Sequence, residues 1–397
     1  LGDSADARYA LPRRIPGAGC SWPVFRVDTA GRVSSFGRLD ALLPHHFHFE
    51  TPHQALRGLT EGLPWFLNAL RPSGFLGHAR AHPSADAGDE LPSAEDADIA
   101  WLVRHGFDGP GDLILGAEAL EAWRSARQRL QVVDAGERAR RYPLMAAAVL
   151  AGEGAGAQLG GETPKFTAIT DHGGHLVPVL VKFSPPMDSP EGLRAGELLL
   201  AEHLAHVLLK LRGVLAAHSR VFRFGERVFL EVDRFDRVGT HGRRAVVPLA
   251  ALELPAAGGP AGWAAAAGQL VAAGLLPRND ARQIRLVEAF SSLIGNVARD
   301  DSDLSLFHRA DGRFALAPAY DLAPTVLAQV AGDARSGAQF LPPAPGLLQR
   351  EVWAQAKRLA VEYWERLAIE PQLSPRFRAQ CAAALDALRA APEVVGG

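Results

Sequence analysis

Apolar and polar residues alternate from Pro23 to Asp28, and a turn of Thr29-Ala30-Gly31-Arg32 leads into Val33–Leu39, so the first predicted element is a β-hairpin. Residues 41–80 mix short strands with a helix near Pro64–Leu70, and residues 81–95, rich in Ala, Ser, Asp and Pro, read as a surface loop. Helices are predicted near 94–106, 117–129 and 142–151. Lys165–Thr170 and Val177–Phe183 read as strands joined by the turn Asp171-His172-Gly173-Gly174. Leu193, Leu200, Leu204, Val207, Leu208 and Leu211 recur at helical spacing and predict a long amphipathic helix over 191–212. Arg220–Phe224 and Val228–Phe235 give a second hairpin pattern. From about residue 260 the chain is mainly helical, interrupted by a strand–turn–strand at 304–317, and no internal repeat is visible.

The bulk properties narrow the class. A length of 397 residues suits several domains or one large two-lobed fold, and 48% hydrophobic residues suffice for a sizeable core. The net charge of -2 argues against a chain-wide nucleic-acid footprint, so no direct nucleic-acid binding by this chain is expected. Cys20 and Cys381 are far apart, which excludes a cysteine-rich zinc site or disulfide scaffold and fits a reducing cytoplasm. No uninterrupted apolar run reaches the roughly 18 residues of a membrane helix, and no signal peptide is recognisable at the start. Because the chain begins at Leu1 and not Met, a further segment upstream is expected. His45, His46 and His48 cluster, but no HExxH pair, completing carboxylate motif or GxSxG elbow accompanies them.

Several segments carry candidate chemistry. Gly152–Gly161 is glycine-rich, and Gly160-Gly161-Glu162-Thr163-Pro164-Lys165 can wrap phosphates with backbone N–H groups; it is not a GxxxxGK[ST] loop and equally suits a surface linker. Lys182 lies between Val181 and Phe183, where a strand lysine can reach phosphates if a helix carboxylate holds it, or else simply face solvent. Glu197 and Glu202 sit on the following helix, five apart, so at most one is expected to reach it. Leu230–Arg237 ends the second hairpin, where Asp233 and Phe235 suit a base pocket or an ordinary charged strand end. Asp300, Asp301, Asp303 and Asp321 are the acidic set: a hairpin between Asp303 and Asp321 brings its ends together, so both carboxylates can converge on one hard cation such as Mg²⁺. The order of these parts is that of a protein-kinase-like fold. We therefore expect an α+β, two-lobed architecture, β-rich in its N-terminal lobe and mainly helical in its C-terminal lobe. The segments expected are 1–150, 151–237 and 238–397.

Gly62–Leu67, Arg71–Gly77, Pro110–Gly116, Gly160–Phe166, Val181-Lys182-Phe183, Ala201–Ala205, Asp233–Arg237 and Pro318-Ala319-Tyr320-Asp321, in that order, resemble the HipA family of toxin–antitoxin serine/threonine kinases, in its YjjJ-like (HipH) branch. The resemblance runs over most of the chain. It implies a HipA-like kinase fold using ATP and Mg²⁺. Gly160, Gly161, Lys165, Lys182 and Glu202 would form the phosphate side of the ATP site, Asp233 and Phe235 would line the adenine, and Asp303 and Asp321 would bind metal. It also implies a protein substrate such as an aminoacyl-tRNA synthetase, a DNA-binding antitoxin, and for this branch an upstream helix-turn-helix segment.

The departures from the family pattern concern transfer itself. Where the family reads Gly-Asn-x-Asp-x-His-x-x-Asn, this chain has Gly295, Asn296, Val297, Ala298, Arg299, Asp300, Asp301, Ser302 and Asp303. The base aspartate becomes Ala298, the histidine Asp300 and the metal asparagine Asp303. Gln158 stands where some relatives carry an autophosphorylated serine, with Thr163 and Thr167 nearby. Loss of a positioned base typically costs ~10²–10⁴-fold in rate. Three readings stay open: an active kinase with Asp300 or Asp301 as substitute base, a pseudokinase that binds ATP without turnover, and a regulator acting through a partner or an upstream DNA-binding segment.

Overall fold

The strand pairings begin where the alternation begins. In the computed structural model, which describes residues 10–71, 93–152, 163–252, 254, 262–328 and 340–392, Ser21–Val27 and Val33–Leu42 form the first hairpin. The register shifts between Val24 and Phe25, a bulge that lets the strand bend. The chain divides into two compact units.

The described part of the first unit comprises residues 10–71, 93–132 and 236–247. Its sheet runs in the order Gly58–Glu61, His46–Glu50, Val33–Leu42, Ser21–Val27, Leu113–Leu115, every pair antiparallel. One face packs Trp22, Phe36, Phe47, Phe49 and Leu39 against Phe66 and the helix Ala94–His105 through Ile99 and Leu102. The other face packs Val27 and Ile114 on Ala119, Leu120 and Trp123 of the helix Ala117–Gln128. Gly37 has no freedom to be anything larger, because a Cβ there would lie 2.5 Å from the Phe49 ring. The segment 236–247 joins this unit through Asp236, whose carboxylate accepts from the Gly111 N–H at 3.2 Å, and Arg237, which donates to Asp108 at 3.0 Å. Of the loop expected over 81–95, residues 81–92 lie outside the described residues, and Ser93 caps the helix that follows by accepting from the Asp96 N–H.

The second unit holds residues 133–152, 163–235 and the described part of 248–392. Its sheet runs Val132–Val133, Lys165–Asp171, Leu176–Phe183, Arg227–Asp233, Ser219–Phe224. Period-2 alternation sorts its side chains. Phe166, Val179, Val181, Phe183 and Phe229 pack on Tyr142 and Ala146 of the helix Arg138–Leu150. Val228, Leu230 and Val232 face Leu199 on the helix Pro190–Leu211. The helix Arg138–Leu150 begins earlier than the apolar pattern indicated, and Arg138 in its first turn is buried against its partner Glu231 and the Phe222 ring.

The helix Pro190–Leu211 also departs from its apolar pattern. Leu200 and Leu208 are buried, but Leu193 is 38% and Leu211 63% exposed, while Arg194, Glu197, Glu202 and His206 are buried. The core-facing side of this helix is partly polar, because its buried charged residues find partners, Glu202 accepting from Lys182 and Glu197 from the Ser374 N–H. Further along come the helices Trp263–Ala272, Arg278–Leu293, Arg350–Ile369 and Pro375–Ala390 and the hairpin Ser305–His308/Phe314–Leu316, which Arg278–Leu293 meets through Asp280, accepting from the Leu316 N–H at 2.9 Å. Tyr363 donates its hydroxyl to the Ala201 carbonyl at 3.0 Å, tying the helix Arg350–Ile369 to Pro190–Leu211, and Trp364 donates its indole N–H to the Leu293 carbonyl at 3.1 Å, tying it to Arg278–Leu293. Among the described residues, no helix is long and apolar enough to cross a membrane.

Candidate active site

Lys182 enters the site because strand alternation turns it away from the Val181 and Phe183 side, toward the helix Pro190–Leu211. Ser189 caps that helix by accepting from the Gly192 N–H at 3.0 Å, and Pro190 fits its first turn. Twelve residues on from Pro190, Glu202 comes level with the strand lysine, and Lys182 Nζ donates to its two oxygens at 2.8 and 3.0 Å. Glu197, the alternative acid on the same helix, turns elsewhere and accepts from the Ser374 N–H at 2.8 Å.

Asp321 supplies the third charge, its Oδ1 accepting from Lys182 Nζ. Backbone hydrogen bonds two residues before it hold the segment in place. Ala319 exchanges hydrogen bonds with the segment before the sheet's edge strand, its N–H donating to the Leu215 carbonyl at 3.0 Å and its carbonyl accepting from the Ala217 N–H at 2.9 Å. Asp321 itself adopts φ 54, the only left-handed non-glycine residue among those described. Aspartate is one of the few side chains that tolerates this conformation, and such strain concentrates at functional positions. Lys165, paired across the strands with Lys182, is also buried, at 2% exposure.

The electrostatics follow from crowding these groups out of water. Burial works to lower Lys182, but Asp321 and Glu202 overcome it and raise its pKa above the ordinary lysine range. Burial lifts Glu202 above the usual carboxylate range in spite of Lys182. Burial acts on Asp321 in the same sense, yet Lys182 and Lys165 outweigh it and hold Asp321 low. Lys165 is pulled down to about 8, chiefly by burial. Asp303 is pushed up to about 7 by burial and then by the negative charge of Asp321.

The Asp321 charge adds to burial in raising Asp303, so the two carboxylates lie near enough to interact. No group of three or more His, Cys, Asp and Glu among the described residues is placed to hold a metal ion alone. This donor set fits Mg²⁺, which characteristically takes one or two carboxylates together with phosphate oxygens, better than an all-protein cage.

The loop 295–303 is anchored to Asp321 through Asn296, whose Nδ2 donates to the Asp321 carbonyl at 3.1 Å. Thr325 donates to Asn296 Oδ1 at 3.1 Å and accepts from the Ala298 N–H at 3.1 Å. Gly295, at φ 72, lets the loop pass Val326, where a Cβ would come within 2.5 Å of Cγ1. Ala298 is exposed and offers no functional group. Asp300 is also exposed, and its carboxylate turns back to accept from the Ser302 N–H at 2.6 Å while Asp303 accepts from the Asp300 N–H at 3.1 Å. The two aspartates thus form a capping box over the turn Asp301–Asp303. Arg299 stacks over Trp263 at 5.1 Å, and the Trp263 indole donates to the Asp300 carbonyl at 3.1 Å.

Phe235 sits 5.7 Å from the Tyr320 ring and 6.0 Å from Phe307, forming an aromatic wall immediately before Asp321. Tyr320 in turn donates to the Ser302 carbonyl at 2.6 Å. The Asp233 carboxylate is occupied by Arg220 at 2.8 Å and lies 3.4 Å from His218. The structure therefore brings together Lys165, Lys182, Glu202, Asp303 and Asp321, with Phe235 beside them through Tyr320. Gly160 and Gly161, and with them Gln158, lie outside the described residues. Asn296 and Thr325, which carry the loop's anchoring, were not singled out by sequence reasoning. The only signal for Asn296 was its place inside the motif, and Thr325 had none.

Comparison with known proteins gives the family. Residues 18–124 match the family described as YjjJ-like toxin, middle domain, and residues 157–390 match the HipA-like C-terminal domain. The chain is 31% identical over 384 residues to the Escherichia coli (strain K12) protein Toxin YjjJ, covering 95% of this chain and 86% of that protein. A Shewanella oneidensis MR-1 structure of the toxin–antitoxin system HipA and HipB with operator DNA aligns at TM-score 0.49 and 14% identity, over 92% of this chain and 95% of that one. The Helicobacter pylori proinflammatory kinase CtkA aligns at TM-score 0.38 and 12% identity, over 57% of this chain and 90% of that one. On its match to the HipA-like C-terminal domain and its identity with the E. coli protein, this α+β chain belongs to the HipA-like toxin family, in the YjjJ-like branch.

Proposed function

We propose that the chain binds ATP with Mg²⁺ at the Lys182–Glu202–Asp321 centre and transfers phosphate to a protein target slowly or not at all. The observation that carries this reading is the buried ammonium of Lys182, 4% exposed, clamped by Glu202 and shared with Asp321. A strand lysine held by a helix glutamate, beside a metal-binding aspartate, is the set that protein kinases must assemble before phosphoryl transfer. Lys182 would pass from Asp321 to the nucleotide's phosphates, with Glu202 keeping it aimed. Asp321 and Asp303 would hold Mg²⁺, which supplies charge neutralisation for the phosphates. Phe235 would flank the base, two residues beyond Asp233, which ends the strand Arg227–Asp233.

The weak-transfer part of the proposal rests on the loop. Ala298 cannot accept a hydroxyl proton, and the Asp300 carboxylate is committed to its own turn by the Ser302 N–H. Redirecting Asp300 would break the capping box. A member of this family is expected to work with an antitoxin partner and on a translation-related protein substrate. A chain that binds nucleotide without turnover would act through that partner.

The test is a pair of measurements on the protein. Mg²⁺-ATP should raise the melting temperature, since a ligand that binds only the native state stabilises it, while [γ-³²P]ATP should label neither this chain nor proteins of a cell extract above background. Absence of any Mg²⁺-ATP stabilisation would overturn the nucleotide reading. Robust labelling lost in Asp300→Asn would overturn the weak-transfer reading.

A further inference from the structure

Behind the Lys182–Glu202 pair lies a polar cluster that the nucleotide site does not use directly. Ser219, the first residue of its strand, places its hydroxyl between two imidazoles of the helix Pro190–Leu211. It lies 3.0 Å from His203 Nδ1 and 3.1 Å from His206 Nδ1. His206 is wholly buried, and one helical turn separates it from Glu202. Its Nε2 has no hydrogen-bond partner and stands 3.9 Å from Glu202 Oε1.

A serine hydroxyl has one proton to donate, so it cannot serve both rings in the same sense. In one arrangement Ser219 donates to His206 Nδ1 and accepts from His203 Nδ1–H, which leaves His206 Nε2–H facing the Glu202 carboxylate. In the other, Ser219 donates to His203, His206 carries its proton on Nδ1, and a bare ring lone pair faces a buried carboxylate. The second arrangement sets two acceptors against each other where no water can separate them, a costly arrangement in a low-dielectric interior. Burial, with the Lys182 charge adding to it, pushes His206 down to about 3, so the ring is neutral and the choice is between tautomers.

We infer that His206 is a positioning residue of the nucleotide site, held as the Nε2–H tautomer by Ser219 so that its N–H backs Glu202 and keeps that carboxylate turned to Lys182. Its positioning role rests on the nucleotide reading of the Lys182 centre. The proton order His203 to Ser219 to His206 does not. A carboxylate supported from behind keeps its place when Lys182 turns toward phosphate and Asp321 toward the cation. Without that support, Glu202 is free to rotate with the lysine it should steer.

Histidine-selective ¹⁵N NMR on the whole protein reads the tautomer directly, and titration with Mg²⁺-ATP reads the site. The wild type should show His206 as Nε2–H, and Ser219→Ala should lose that single fixed tautomer. His206→Phe, which keeps bulk and removes both nitrogens, should weaken Mg²⁺-ATP affinity by roughly 10-fold, as loss of an outer-shell partner commonly does. His206→Gln, whose amide N–H replaces Nε2–H, should restore affinity to near wild type. Should His206→Phe fail to fold, Ser219→Ala and His206→Gln carry the comparison. An Nδ1–H tautomer in a protein that binds Mg²⁺-ATP overturns this inference alone, as does equal affinity in all variants. An Nε2–H tautomer in a protein that does not bind Mg²⁺-ATP overturns the nucleotide reading and the positioning role with it.

Discussion

Lys182 has almost no contact with solvent, so its charge persists only through Glu202 and Asp321. Removing one member of such a set leaves the others charged and buried, which typically costs several kcal/mol. Lys182→Met should therefore destabilise the protein by roughly 3 kcal/mol, and it should abolish stabilisation by Mg²⁺-ATP; urea titrations with and without nucleotide measure both. An unchanged midpoint in the absence of nucleotide would show that the ammonium contributes nothing net. His206 makes a separate prediction. Its pKa is lowered from the free value of 6.5 to about 3, chiefly by burial. A histidine whose folded pKa lies below its unfolded one leaves stability intact above pH 6.5. Stability is then lost as pH falls toward the folded value, because the unfolded chain binds the proton first. At pH 5 this one residue should lower stability by about 2 kcal/mol relative to pH 8. His206→Gln should flatten the curve of unfolding free energy between pH 8 and pH 5 by that amount, and parallel curves for the two proteins would contradict the assignment.

At the scale of elements, the helix Pro190–Leu211 does most of the positioning, and its start leaves no slack. A Cβ on Gly192 would lie 1.7 Å from the Pro186 carbonyl oxygen, a backbone atom that cannot swing away. Gly192→Ala should therefore shift the first turn and cost about 1–3 kcal/mol, with weaker Mg²⁺-ATP binding because Glu202 rides on the same helix. Wild-type stability and affinity together would show that the turn can relax. The loop 295–303 behaves as a second unit. Restoring Ala298→Asp alone adds an acid beside the Asp300–Asp303 capping box, whereas Ala298→Asp, Asp300→His and Asp303→Asn together remove the box. The triple variant should gain phosphoryl transfer by ~10²–10⁴-fold over the unaltered chain, measured by labelling from ATP, and the single variant less. Equal, undetectable rates in both would place the defect outside this loop. These elements also mark what the sequence made legible. The two hairpin patterns, the strand lysine and the helix carrying Glu202 follow from local periodicity, because periods of two and 3.6 set which side chains share a face. The partly polar buried face of Pro190–Leu211 and the earlier start of Arg138–Leu150 do not, because their burial depends on ion-pair partners such as Arg138–Glu231, distant in sequence. The same holds at the site. Lys182, Glu202 and Asp321 were readable from motif order, but the commitment of Asp300 to a cap and the clasp of Asn296 on Asp321 depend on how one loop folds against another.

For the whole molecule, the Lys182 centre lies within one of its two compact units. Lys182, Glu202, the loop 295–303 and Asp321 all belong to the unit that begins at residue 133, whereas residues 10–71 and 236–247 belong to the other. A ligand that binds only the native state stabilises what it touches, by ~2.7 kcal/mol when present at 100 times its Kd. Hydrogen exchange reports such stabilisation segment by segment. Mg²⁺-ATP should slow amide exchange in Leu176–Phe183, Pro190–Leu211, 295–303 and around Asp321. Exchange in the sheet strands Ser21–Val27, Val33–Leu42 and His46–Glu50 should stay unchanged. Mg²⁺ without nucleotide should have a small effect confined to Asp303 and Asp321, since their carboxylates need phosphate oxygens to complete a magnesium shell. If protection spread evenly over both units, the two would be energetically coupled, and the ligand's effect would have to be read as a change in the whole chain. If it appeared only in the first unit, nucleotide would be binding somewhere other than the Lys182 centre, and the buried lysine would have to be explained by stability alone.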